Sequence, residues 1–146
     1  MKDKSADSIK RVGIVLRNLI KILSENHRDN IGQIIQYLEL GVEKLRMYGV
    51  KELYDNNYEE LQWVFSISWN LGLEYFNIPD YTVALSLFHA CFEYACFIPE
   101  SINILEYQKY ALIHKCICRV QVSKRTSASL DVNNKYLNNL TNDKIG

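Results

Sequence analysis

One spacing constrains this chain more than any other feature: Leu71-Gly72, an aromatic at Tyr75, then Ala84 and, four residues later, Phe88. Two antiparallel helices lie closely together only where small side chains sit at their nearest approach, and Gly72 and Ala84 supply such positions. Tyr75 and Phe88 follow at the i+3 and i+4 offsets that share a helix face, so they fill the volume beside the crossing. Cys91 continues that stripe as a small apolar residue. Between the two helices Asn77-Ile78-Pro79-Asp80 reads as the turn. Asn ends a helix, Pro suits the first turn of the next, and Asp80 favours its positive end. The stretch 61–99 therefore predicts a helical hairpin, one helix running from Tyr58 to about Phe76 and its partner from about Asp80 to Phe97.

The same periodicity extends in both directions. Ile9, Val12, Leu16, Leu19, Ile20 and Leu23 recur at three-and-four spacing, with Lys10, Arg17 and Lys21 opposite, which predicts an amphipathic helix over Ser8 to Leu23. Asn26 to Asn30 is polar and reads as a loop. Ile34, Ile35, Leu38, Val42 and Leu45 mark a second helix from about Ile31 to Tyr48, with Gly49 just past its end. Asp55-Asn56-Asn57 reads as a turn or a helix start. A last helix, with Tyr107, Tyr110, Leu112, Ile113 and Cys116, is predicted over about Ile102 to Val122. Beyond Ser123 the residues turn polar and Asn-rich, a composition that buries little and reads as a disordered or frayed tail. No period-two strand pattern occurs. The expected fold is all-α, antiparallel helical hairpins stacked as a short α-solenoid, with a helical domain over 1–122 and a tail over 123–146.

Composition excludes several classes of function. Hydrophobic residues make up 48% of the 146, enough for a core, and two Pro with six Gly leave few breaks in a helical reading. Seventeen basic residues balance seventeen acidic ones, so the whole-chain charge offers no attraction to a polyanion and no direct nucleic-acid binding is expected. The N-terminal Met1-Lys2-Asp3-Lys4-Ser5-Ala6-Asp7 lacks the apolar run of a secretory signal, which favours an intracellular setting. Tyr81 to Ile98 is the most apolar segment, but it contains His89 and Glu93 and reads as a buried helix rather than a membrane span.

The order Leu-Gly, aromatic, Ala, Phe resembles the middle of the tetratricopeptide repeat, a helix-turn-helix unit that stacks into solenoids. Two positions depart from that pattern: Ser68 stands where a large aromatic is usual, beside Trp69, and Pro99 comes three residues late. Displacing the pattern by the repeat length of about 34 residues does not regenerate it, so the array carries one clear repeat. The run Leu61-Gln62-Trp63, Ser68-Trp69-Asn70-Leu71-Gly72, Asp80-Tyr81, Ala84 and Phe88 further resembles the central segment of meiotic crossover scaffold proteins of the Zip-four/Spo-twenty-two type. The resemblance covers roughly residues 60–96. It implies a fragment of a much longer α-solenoid, nuclear and chromosome-associated, that joins crossover factors and synaptonemal-complex components in chromosome synapsis. The residues of the repeat signature itself, Trp69, Leu71, Gly72, Tyr75, Asp80, Tyr81, Ala84, Phe88 and Cys91, are read as structural.

Residues that carry chemistry do not assemble in the sequence. Cys116 and Cys118, two apart on a helix, are separated by about 200° of rotation and cannot both reach one ion. With Cys91 and Cys96 they read as free thiols of a reducing compartment, and no metal or cofactor is expected. His27 falls in a polar loop. His89 and His114 are flanked by apolar helical residues and read as satisfied imidazoles rather than bases. Glu52, Asp55, Glu59 and Glu60 have no histidine or nucleophile at useful spacing, and there is no phosphate-cradling glycine loop or nucleophile elbow. An enzyme is not expected.

Trp63 and Trp69, six apart, lie on different faces of one helix. One is expected in the core, while Trp63 is the candidate for contact with a partner protein. The functional expectation is a non-enzymatic protein-interaction scaffold of the meiotic type. A generic tetratricopeptide adaptor is the alternative, in the cytoplasm if not in the nucleus, although Ser66 to Phe76 lacks the Lys and Arg of a carboxylate clamp. A membrane-anchored protein comes last.

Overall fold

Five helices follow one another in the computed structural model, which describes residues 2–99 and 102–145: α1 (Lys2–Ser24), α2 (His27–Leu45), α3 (Val50–Asn77), α4 (Tyr81–Ala95) and α5 (Ile102–Ile145). No strand occurs among the described residues. Connections of two and three residues fold α1 against α2 and α3 against α4, the geometry of helical hairpins, and four residues join α2 to α3. The hairpin α1/α2 stacks on the hairpin α3/α4 through α1 against α3 and α2 against α4, and α5 covers the far side of α4. The fold is thus an all-α stack of antiparallel hairpins.

Boundaries differ from expectation where polar residues start helices instead of forming loops. Residues 27–30 belong to α2: Asp29 lies in its first turn, where the helix dipole favours a carboxylate, and Asn26 Nδ2 donates to Asp29 Oδ2 at 2.8 Å. The turn shrinks to Glu25-Asn26. Gly49 precedes α3, with extended backbone (φ −68°, ψ 144°), rather than closing α2. The Asp55-Asn56-Asn57 signal is real, but it marks a kink inside α3 at Asn57 (φ −129°, ψ 29°).

That kink has a packing cause. Asn57 is fully buried, and its Nδ2 donates to the Ile9 carbonyl of α1 at 3.0 Å. A Cβ on Gly13 would stand 2.6 Å from Asn57 Oδ1, so only glycine lets α1 pass this side chain. A second crossing uses the same device. The Tyr94 hydroxyl, at the end of α4, donates to the Leu38 carbonyl of α2 at 2.7 Å from a fully buried position. A Cβ on Gly41 would overlap that hydroxyl and come within 2.6 Å of Leu16. Gly41→Ala is therefore expected to destabilise the protein by about 2 kcal/mol, as overpacking does. Urea unfolding checks this, and Tyr94→Phe in the same background should recover part of the loss by freeing the space of the hydroxyl oxygen.

The interior is aliphatic toward the first hairpin, with Ile9, Ile20, Ile34 and Leu38, and aromatic toward the second. The apolar stretch Tyr81 to Ile98 forms the buried helix the sequence predicts, α4, with Ala84, Leu87, Phe88, Ala90, Cys91 and Tyr94 all buried. Each large side chain of this kind contributes about 1.5–3 kcal/mol when removed from water. Asp80 caps α4 by accepting from the Val83 N–H at 3.4 Å. Among the described residues no helix is long and apolar enough to cross a membrane.

The largest difference lies at the C-terminal end. The polar stretch expected to be disordered continues α5 as helix to Ile145, with every described side chain from 123 to 138 exposed; Gly146 lies outside the described residues. Neither Gly nor Pro occurs between 102 and 145, so nothing in the backbone interrupts the helix. Its first uncovered turn is fastened by Arg125, whose guanidinium stands 4.8 Å from the Tyr81 ring.

Candidate interaction surfaces

Gly72 is where the second hairpin closes. A Cβ there would lie 2.7 Å from Cε1 of Phe88, so the ring of α4 is seated directly on the glycine of α3. The small residue receives the aromatic, instead of facing Ala84 with the aromatic beside it. Leu71, Tyr75, Ala84, Phe88 and Cys91 are all buried. Asp80 and Tyr81 are half-buried at the head of α4.

Trp69 extends this contact to the fifth helix. Its ring centroid is 5.5 Å from Phe88, 6.0 Å from Tyr107 and 5.3 Å from His114, in edge-on arrangements. His114 in turn lies 5.0 Å from Phe88 and 5.3 Å from Phe76, while its Nδ1 is 2.8 Å from the Tyr110 carbonyl. This is the satisfied imidazole predicted for it, and the whole cluster is an α3–α4–α5 joint. Trp63 looks the other way, as the six-residue separation requires. It is half-buried, with the Arg17 guanidinium of α1 5.6 Å from its ring.

His27 does more than a loop position implies. Its Nδ1 is 3.1 Å from the Tyr75 hydroxyl and its Nε2 3.2 Å from Glu74 Oε1, tying the start of α2 to the end of α3. A partner 48 residues away leaves no local signal. His89 lies 3.7 Å from Glu93, which Arg46 also contacts at 2.6 Å. Burial, and then the nearby Lys115 charge, hold His89 below its ordinary pKa.

All four cysteines are free; Cys91 and Cys118 are buried, Cys96 and Cys116 exposed. The opposite exposures of Cys116 and Cys118 follow from their rotation on α5. No group of three His, Cys, Asp or Glu among the described residues is arranged to hold a metal ion. Burial pushes the Cys91 thiol from 9.0 up to about 12. The folded protein then keeps a proton that the unfolded chain releases, so this contribution to stability is complete below pH 9.0 and is lost as pH rises toward about 12. Maleimide at neutral pH is expected to modify Cys96 and Cys116 and to spare Cys91 and Cys118 until the protein unfolds. Mass spectrometry of the labelled peptides reads this directly.

Among the described residues two apolar faces stand open. Between α1 and α2, on the side away from the second hairpin, runs a groove of about 300 Å³ walled by Val12, Val15, Leu19, Tyr37 and Leu40. Val15 is 54% and Leu40 45% exposed. Arg11 and Lys44 stand at one end of it. At the opposite end of the stack, α5 turns Leu105, Leu112, Ile113, Ile117 and Val120 outward, each at least 40% exposed. Sequence periodicity contains a trace of both, because α1 and α5 carry more apolar positions than one buried stripe can use. The surplus falls on the outer side.

These features define a class of molecule: a helical-hairpin stack whose first and last elements present uncovered apolar surface. No family model, no curated protein and no solved structure matches the chain.

Proposed function

We propose that the protein is a non-enzymatic protein-interaction scaffold of the tetratricopeptide kind. The observation that carries this reading is the pair of open apolar faces, on α1/α2 and on α5, at the two ends of a stack whose described core residues are buried between the helices. Hairpin stacks bury each unit against the next, and exposed apolar patches of this sort mark surfaces that bind other proteins. In its narrower form the proposal is a meiotic scaffold, nuclear and chromosome-associated, joining crossover or synaptonemal-complex factors. The motif from Trp63 through Trp69-Asn70-Leu71-Gly72 to Phe88 supports this form. A generic adaptor shares the first form only.

Cross-linking of the tagged chain in meiotic cells, with mass spectrometry of what is captured, tests both. The scaffold reading expects defined protein partners that bind again as purified components, and it fails if none does. The meiotic form also expects the tagged chain at foci on paired chromosomes, and it fails if the chain and its partners stay away from chromatin.

A further inference from the structure

The groove between α1 and α2 differs from the α5 face in one respect that identifies its occupant. Its walls are apolar along about 12 Å, the rise from Arg11 to Leu19 on α1. Both of its charged lining residues, Arg11 and Lys44, are cations. Neither forms an ion pair with any carboxylate among the described residues. They lie together at the end of the hairpin remote from the Glu25-Asn26 turn, because α1 and α2 run antiparallel.

Resting on the scaffold reading, we infer that this groove receives one amphipathic helix from a partner protein. Its apolar side chains lie against Val15, Leu19 and Leu40, and its carboxylates at one end meet Arg11 and Lys44. Two parallel walls accept the ridge of a third helix as any packed helix pair does. The cations set its direction, because a charge pair at the rim steers and orients a partner more than it tightens the complex.

Two other occupants fit less well. The outer face of α5 in a second copy carries Lys109 and Lys124 as well as Glu106 and Asp131, so it offers no excess of carboxylates to Arg11 and Lys44. A lipid surface is flat or convex on this scale and would touch the outer ridges of α1 and α2, leaving the concave walls uncovered.

The test uses the full chain and three fluorescent probes followed by anisotropy: a synthetic leucine-striped helix ending in glutamates, its twin ending in lysines, and phosphatidylcholine vesicles containing phosphatidylserine. The glutamate probe is expected to bind, and Val15→Glu with Leu40→Glu to weaken it by about tenfold or more. Arg11→Glu with Lys44→Glu should move the preference to the lysine twin. All four positions are on the outer surface, and circular dichroism verifies that each variant keeps its helices. The inference is overturned if no peptide binds the unmodified protein, if both peptides bind alike, if the Val15/Leu40 variant binds unchanged, or if the vesicles bind and are released by the groove substitutions. Cellular cross-linking of the Val15/Leu40 variant separates the two readings. Partners kept in full overturn the groove and leave the scaffold, whereas an unmodified chain that captures nothing overturns the scaffold itself.

Discussion

Replacing Gly72 with leucine is expected to lower the unfolding midpoint by about 10 °C, corresponding to a loss of about 3 kcal/mol. The first added carbon would already be 2.7 Å from Cε1 and 2.9 Å from Cδ1 of Phe88. The phenyl ring has nowhere to retreat, with Trp69 5.5 Å, Phe76 6.3 Å and His114 5.0 Å away, centroid to centroid. Alanine makes the sharper test. In an unconstrained helix interior Gly→Ala stabilises by about 1 kcal/mol. At residue 72 the overlap with Phe88 outweighs that gain, so Gly72→Ala should destabilise. Gly32 on α2, where a Cβ meets nothing within 4 Å, is the control and should become more stable. Thermal melts of the three variants decide the matter, and an unchanged midpoint for Gly72→Leu would remove the proposed contact.

Phe88→Ala attacks the same joint from the other side. Phe88 is fully buried, and its truncation is expected to cost about 4 kcal/mol, the transfer term plus that of the cavity left among rings. Combined with Gly72→Leu it should cost less than the two changes added together, by about 1–2 kcal/mol, since the leucine can enter the emptied space. Urea denaturation of the four proteins measures this coupling. Strict additivity would mean that residues 72 and 88 do not share one volume.

The spacing around Gly72 locates the α3–α4 contact in the sequence because steric demand at a helix crossing is local. A small residue and an aromatic must occur at set offsets, and periodicity records them. The same holds for the turn at Asn77 to Asp80 and for the opposite orientations of Trp63 and Trp69. Gly13 and Gly41 escape such reading because what they accommodate, Asn57 and Tyr94, comes from distant helices. His27 escapes for the same reason. Residues 123–145 mislead in another way: composition describes how little a segment can bury, whereas helix continuation also depends on whether Gly or Pro interrupts it. The groove is half legible, since surplus apolar positions on α1 announce an outer face but only the antiparallel return of α2 brings Lys44 to the groove that Arg11 lines.

The helical continuation of α5 past Val122 has a mechanical meaning. From residue 123 to Ile145 it measures about 34 Å, at 1.5 Å for each residue. On the scaffold reading, a rod of that length would serve as a spacer between two attachments carried by one chain.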